Sequence, residues 1–156
     1  MSGRWTHWQA RGRELFALGR QATMLFDANE PDPEVATLTK GSDVVVCLHG
    51  LFANAGVLQH LRRAIRPVAP TLAMSYPVGP GIDTLTNRLA SLVGSLPDGV
   101  RIHLVGHSVG GLIARHYLDR AGRPEVVQTI SIASPFAGLH GARLVGLPIA
   151  LSLIHI

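Results

Sequence analysis

A single cysteine in 156 residues leaves no partner for an internal disulfide and no thiol cluster for a zinc site. Cys47 lies inside the run Val44-Val45-Val46-Cys47-Leu48, where a lone thiol reads as a small buried hydrophobe. Long apolar runs are missing too: no stretch reaches the roughly 18 continuous apolar residues of a membrane span. Arg11, Arg13, Glu14 and Arg20 interrupt every apolar stretch near the N-terminus, so nothing there resembles a secretory signal. These absences predict a cytoplasmic chain, soluble or peripheral to a membrane. Concentrated charge is also lacking. Fourteen basic and ten acidic residues give +4, with Arg62, Arg63 and Arg66 on one predicted helix and Arg4, Arg11, Arg13 and Arg20 on another. Such scatter reads as solvated faces, and without a basic stripe or interleaved aromatics no nucleic-acid partner is expected.

What is present is one domain's worth of chain with 47% hydrophobic residues, enough for a sizeable core. Residues 1–28 hold a candidate amphipathic helix over 4–27, with Leu15, Leu18, Ala22, Leu25 and Phe26 on one stripe and arginines opposite. Such stripes usually pack on the parent domain. The basic face with Trp5 and Trp8 also suits a lipid interface, so peripheral membrane contact through this helix stands as an alternative. Residues 29–42 then form an acidic, proline-containing linker.

From Asp43 the pattern alternates. Val44–Leu48 reads as a strand, Val57–Ile65 as a helix, Thr71–Met74 as a strand and Thr84–Leu96 as a helix. Val100–Val105 is a further strand, followed by helical spacing from Leu112 to Leu118 and a last strand over Val126–Ala133. Continuous apolar strands alternating with helices predict an α/β fold with a mostly parallel sheet covered on both faces. Chemistry in such sheets gathers at the carboxyl ends of the strands, where His49-Gly50, Ser108 and Ser134-Pro135 all fall.

The most informative segment is Gly106-His107-Ser108-Val109-Gly110, which throws a buried strand straight into a helix. A glycine-rich chain of this length carries G-x-S-x-G by chance about 0.1 times, so the flanking strand and helix decide its meaning. A serine on so sharp a reversal is strained and exposed, a nucleophile candidate, and only Gly106 and Gly110 leave room for the crossing backbones. The plainer alternative is an ordinary glycine turn with an incidental serine.

A second glycine-bearing loop, Leu48-His49-Gly50-Leu51-Phe52-Ala53-Asn54, follows the first strand at the same sheet edge. Ester hydrolysis passes through a tetrahedral oxyanion, stabilised by preorganised amides: one from the residue after the nucleophile and one from such a loop. Val109 and Leu51 are the candidates for that oxyanion hole. Alone, His49-Gly50 would read as a turn closing a βα unit.

The His49-Gly50-Leu51 loop, the run Leu104-Val-Gly-His-Ser-Val-Gly-Gly-Leu-Ile-Ala-Arg-His-Tyr-Leu118 and Ile130-Ser-Ile-Ala-Ser-Pro135 together resemble the lipase and esterase branch of the α/β-hydrolase superfamily, most closely bacterial triacylglycerol-lipase-like proteins. The resemblance covers about residues 43–146. It implies a Ser-Asp/Glu-His triad with Ser108 as nucleophile, an oxyanion hole at Leu51 and Val109, a small-molecule or lipid ester as substrate, and no cofactor and no metal. Phe136 stands where relatives carry histidine, which leaves the substrate rim open.

The rest of the triad is missing. Relatives carry acid and histidine, in that order, on loops after later strands. After Ser108 the only acids are Asp119 and Glu125, both leading away from the catalytic edge, while His116 sits within a helix. His140 comes earlier than the expected histidine, and His155 lies in an apolar tail. His107 is expected to point away from substrate, and His103 with His107 makes a poor metal pair. Sheets of this type usually need about 200 to 250 residues. Residues 43–150 are therefore expected to be the amino-terminal part of the domain, with 151–156 a foreign tail and the chain alone nearly inactive. Thioester, peptide or carbon-carbon hydrolysis on the same scaffold, or a non-catalytic lipid-binding module, remain the alternatives.

Overall fold

A computed structural model describes residues 31–51, 53–77, 79–121 and 124–137. The helix expected over 4–27, His140 and the tail after Ala150 lie outside these residues. Among the described residues four strands form one parallel sheet in the order β2-β1-β3-β4: β1 Asp43–Leu48, β2 Thr71–Met74, β3 Arg101–His107 and β4 Val126–Ile132. Three α-helices among these residues alternate with them: α1 Gln59–Ile65, α2 Ile82–Gly94 and α3 Val109–Ala121.

β1 and β3 occupy the centre of the sheet, and their side chains feed two cores. Val44, Val46, Leu48, Ile102 and Leu104 point to one face, where α2 and α3 bring Leu85, Leu89, Leu112, Ile113 and Tyr117. Val45, Cys47 and Val105 point to the other face, against Leu58 and the partly buried Leu61 and Ile65 of the α1 region. This two-sided burial explains why β1 is apolar at every position from Val44 to Leu48. α2 presents Ile82, Leu85, Thr86, Leu89 and Val93 to the core at helical spacing, with Ala90 and Leu92 partly buried beside them.

Boundaries moved for local reasons. The helix expected from Val57 begins as a 3-10 turn over Ala55–Leu58, initiated by the Asn54 side chain accepting from the Gly56 amide at 2.9 Å, and becomes α-helical only at Gln59. β3 runs on to His107, beyond the apolar run, because His107 still pairs with Ile132 of β4. Coverage of both faces holds over β1 and β3 but not over β4, where Val127, Ile130 and Ile132 are exposed among the described residues.

Among the arginines of α1, Arg62 departs furthest from expectation, while Arg63 is exposed as expected. Arg62 is 1% exposed and is no part of a solvated face. It donates through Nε to Thr71 Oγ1 at 2.8 Å and through a guanidinium nitrogen to Asp32 Oδ1 at 3.4 Å. Asp32, within the acidic linker segment, is buried as well. It also accepts from Arg66 Nε at 2.6 Å and from the Thr71 amide and hydroxyl, each at 2.8 Å. Burial alone would raise the Asp32 carboxyl; hydrogen bonds from Arg66 and Thr71 outweigh it and hold the carboxyl below its usual value. Asp32 thus fastens the residues before β1 to the start of β2.

Candidate functional site

β3 hands the chain to α3 through one residue. Ser108 sits at φ 54, in the left-handed region that costs a side-chain-bearing residue about 1–2 kcal/mol. Its amide donates to the Ile132 carbonyl at 2.8 Å and its carbonyl accepts from Gly111 at 3.1 Å, so both sides of the bend are tied. The flanking glycines are steric necessities. A Cβ on Gly106 would overlap the Gly111 backbone, and one on Gly110 would overlap the Leu48 carbonyl. Gly111, which the sequence did not single out, is crowded by side chains rather than backbone: a Cβ there would meet the Ser134 and Ser131 hydroxyls. As the first residue of α3, Val109 has no intrahelical acceptor for its amide, and the positive end of the helix dipole lies beside Ser108.

The loop after β1 passes directly over this bend. A Cβ built on Gly50 would stand 3.1 Å from Ser108 Cβ and 3.1 Å from His107 Nδ1, so the sequence-selected loop and serine are neighbours. The His107 ring packs beside Gly50 and is half-buried. Leu51 follows, partly buried against the core.

His49, next to Gly50, carries a network that sequence reasoning missed. Its ring is 1% exposed and stacks on Tyr76, with centroids 3.8 Å apart and planes at 17°. Nδ1 donates to the Gly50 carbonyl at 2.8 Å, and Nε2 accepts from the Tyr76 amide at 3.2 Å. The Tyr76 hydroxyl donates to the His49 carbonyl. Burial lowers the imidazole's affinity for a second proton and raises the Tyr76 phenol, so both rings stay neutral. A visible signal existed: an aromatic residue just past the end of β2, on the edge where the loops converge.

The remaining chemistry-bearing residues are engaged elsewhere. His103 Nε2 contacts Asp43 Oδ1 at 2.8 Å near the amino ends of the strands. Arg101 and His103 hydrogen bonds hold the Asp43 carboxyl down to about 2. His116 meets Asp83 across α3 and α2 at 3.0 Å, with Arg120 on the same carboxylate. Asp119 faces Arg115 on the exposed side of α3, and Arg115 lies 5.9 Å from the Phe136 ring centroid. The Glu125 carbonyl accepts from Ile102, placing Glu125 at the sheet end opposite Ser108. No group of three potential metal ligands occurs among the described residues. Nor is any helix among them long and apolar enough to cross a membrane.

Taken together, a parallel sheet, helices on both faces and a serine turn between the third strand and its helix define an α/β-hydrolase fold. Two solved structures share it. A phospholipase, PlaB from Legionella pneumophila in complex with thio-NAD, superposes with a TM-score of 0.57 at 19% identity, covering 72% of this chain and 31% of that one. MenH from S. aureus superposes with a TM-score of 0.54 at 18% identity, covering 68% of this chain and 42% of that one. The chain therefore spans between about a third and two-fifths of the length of these neighbours. None of the curated proteins matches it. Residues 39–155 match the family described as "Putative serine esterase (DUF676)", and the chain belongs to that family.

Proposed function

We propose that the protein is a serine hydrolase that cleaves carboxylic esters through an acyl-enzyme on Ser108. The observation that carries this reading is the strained left-handed serine with the Gly50 loop lying against its Cβ. Ser108 Oγ attacks the ester carbonyl, the C–O bond to the alcohol breaks, and water then releases the acid. The oxyanion formed at each step is held by the amides of Leu51 and Val109, each worth about 3–4 kcal/mol of barrier. Membership of a serine esterase family supports the class of reaction.

The general base and its acid come from residues outside the described ones. His49 is locked to Gly50 and Tyr76, while His103 and His116 pair with carboxylates remote from the bend. The substrate is a small-molecule or lipid ester, and the reaction as written consumes only ester and water.

The test uses the full natural polypeptide. A fluorophosphonate is expected to label it at Ser108, and Ser108→Ala is expected to abolish both labelling and hydrolysis of a short-chain chromogenic ester. A panel of esters, thioesters and amides is expected to show esters turned over fastest. Unchanged ester hydrolysis in Ser108→Ala would refute the assignment.

A further inference from the structure

We propose that His49 is a positioning residue that aims the Leu51 amide at the developing oxyanion, with Tyr76 holding His49 in place. The proposal rests on the esterase reading above and deepens it. A peptide unit is planar and trans, so the carbonyl of Gly50 and the amide of Leu51 belong to one rigid plane and point in opposite directions. Whatever grips the Gly50 carbonyl therefore sets the direction of the Leu51 N–H. That grip is His49 Nδ1, at 2.8 Å.

The preceding peptide plane is held as well. It contains the His49 carbonyl, which accepts from the Tyr76 hydroxyl. Both planes flanking Gly50 are thus fixed by the same stacked pair of rings. Gly50 needs this more than any other position in the loop. Ser108 Cβ and the His107 ring leave little space for a side chain at Gly50, and glycine's backbone is the softest available. Left alone, both planes would rotate and the Leu51 donor would lose its heading. The two rings remove the freedom that the close approach to Ser108 demands.

Histidine suits this task because a neutral imidazole presents one donor and one acceptor on a rigid ring. Nε2 faces the Tyr76 N–H at 3.2 Å, which assigns the proton to Nδ1, and Nδ1 is the atom facing the Gly50 carbonyl. The ring is enclosed and stacked, so neither bond competes with water. A hydrogen bond to the Gly50 carbonyl also polarises its peptide, strengthening the Leu51 N–H as a donor by about 10–30%.

The experiment compares His49→Phe, His49→Asn and Tyr76→Phe in the full natural polypeptide, with melting temperatures recorded for each. Phenylalanine keeps the ring and the stack but has no donor. Asparagine's amide nitrogen can stand near the place of Nδ1 and reach the Gly50 carbonyl. Removing an oxyanion donor outright costs about 10²- to 10³-fold in kcat, and misaiming one is expected to cost about 10- to 100-fold. His49→Phe is expected to show that fall in kcat with KM within about twofold, and an equal loss of affinity for a boronic-acid transition-state analogue. His49→Asn should recover most of it, and Tyr76→Phe should lose a smaller part, about 3- to 10-fold. A purely structural role would lower the melting temperature without this split. Should His49→Phe fail to fold, Tyr76→Phe carries the same test.

Imidazole nitrogen resonances of the unaltered protein give a second readout. They are expected to show His49 as the Nδ1–H tautomer near neutral pH; an Nε2–H tautomer or an imidazolium would overturn the proposal. An active wild type with His49→Phe and Tyr76→Phe both within about twofold of its kcat would overturn it too, leaving the esterase reading intact. Absence of any Ser108-dependent turnover in the wild type removes that reading and the proposal together.

Discussion

Gly110 faces the Leu48 carbonyl so closely that a methyl group on its Cα would overlap the oxygen. The start of α3 and the end of β1 therefore meet backbone to backbone, and neither can yield without displacing the bend at Ser108. Gly110→Ala is expected to cost about 2–3 kcal/mol in urea unfolding, typical of overpacking a fixed interior. Fluorophosphonate labelling of Ser108 should slow in parallel.

Ser108 offers a cleaner measure of stored strain. Glycine enters the left-handed region freely, whereas alanine meets the same penalty as serine. Ser108→Gly is expected to be about 1 kcal/mol more stable than Ser108→Ala by urea denaturation, with neither variant expected to hydrolyse esters. Equal stabilities would show that the strain at the bend is no larger than glycine's extra entropy cost, about 0.5–1 kcal/mol.

Asp32 should govern the acid limb of stability. Its carboxyl is lowered in the native state, so its contribution is present above the usual value of 3.8 and is lost as pH falls through the native value. Asp32→Ala leaves the buried Arg62 guanidinium without its carboxylate, with an expected loss of about 3–5 kcal/mol at pH 7. Urea titrations from pH 7 down to pH 2 should show a shallower acid dependence in the variant than in the wild type.

The imidazole of His49 works at milder pH with a different proton balance. The folded protein keeps the ring neutral because burial lowers its pKa, while the unfolded chain takes up a proton below the usual 6.5. The unfolded state then binds more protons, so stability falls as pH drops below that value, by at most about 1.4 kcal/mol per pH unit from this group. Tyr76, whose phenol is raised by burial, and the adjacent His107 face the same loop; Tyr76 stays neutral throughout this range. His49→Asn should flatten the stability profile between pH 6.5 and the lower native value, measured by denaturant unfolding.

Cys47 is fully enclosed and its thiol is pushed up to about 11 by burial. Thiol reagents are expected to modify it only as fast as the protein unfolds, so the labelling rate should rise with urea in step with the unfolding equilibrium. Rapid labelling under native conditions would show that this face of the sheet opens locally.

β1, β2 and the bend at Ser108 were legible because burial on both faces writes itself as an unbroken apolar run, and backbone crossings write themselves as glycine. The same local logic failed at Arg62. An arginine on a short helix looks solvated until a carboxylate 30 positions earlier is seen to meet it, and no periodicity encodes that meeting. His49 and Tyr76 were hidden for the same reason, since a loop at the end of β1 meets the end of β2 only once β1 and β2 pair in parallel. Gly111 was passed over because its constraint comes from Ser134 on a distant segment. No pattern around Ser108 marks the expected acid and histidine: His103 and His116, on either side of it, pair with Asp43 and Asp83 instead.

The Ser108 amide ends on the Ile132 carbonyl, the last residue of a strand whose outer side chains face water. Fraying there would slacken the bend at Ser108 before any interior packing gave way. Deuterium uptake at the Ser108 amide is thus a direct gauge of how firmly β4 is seated, and a neighbour that seats this strand would steady Ser108 without touching it.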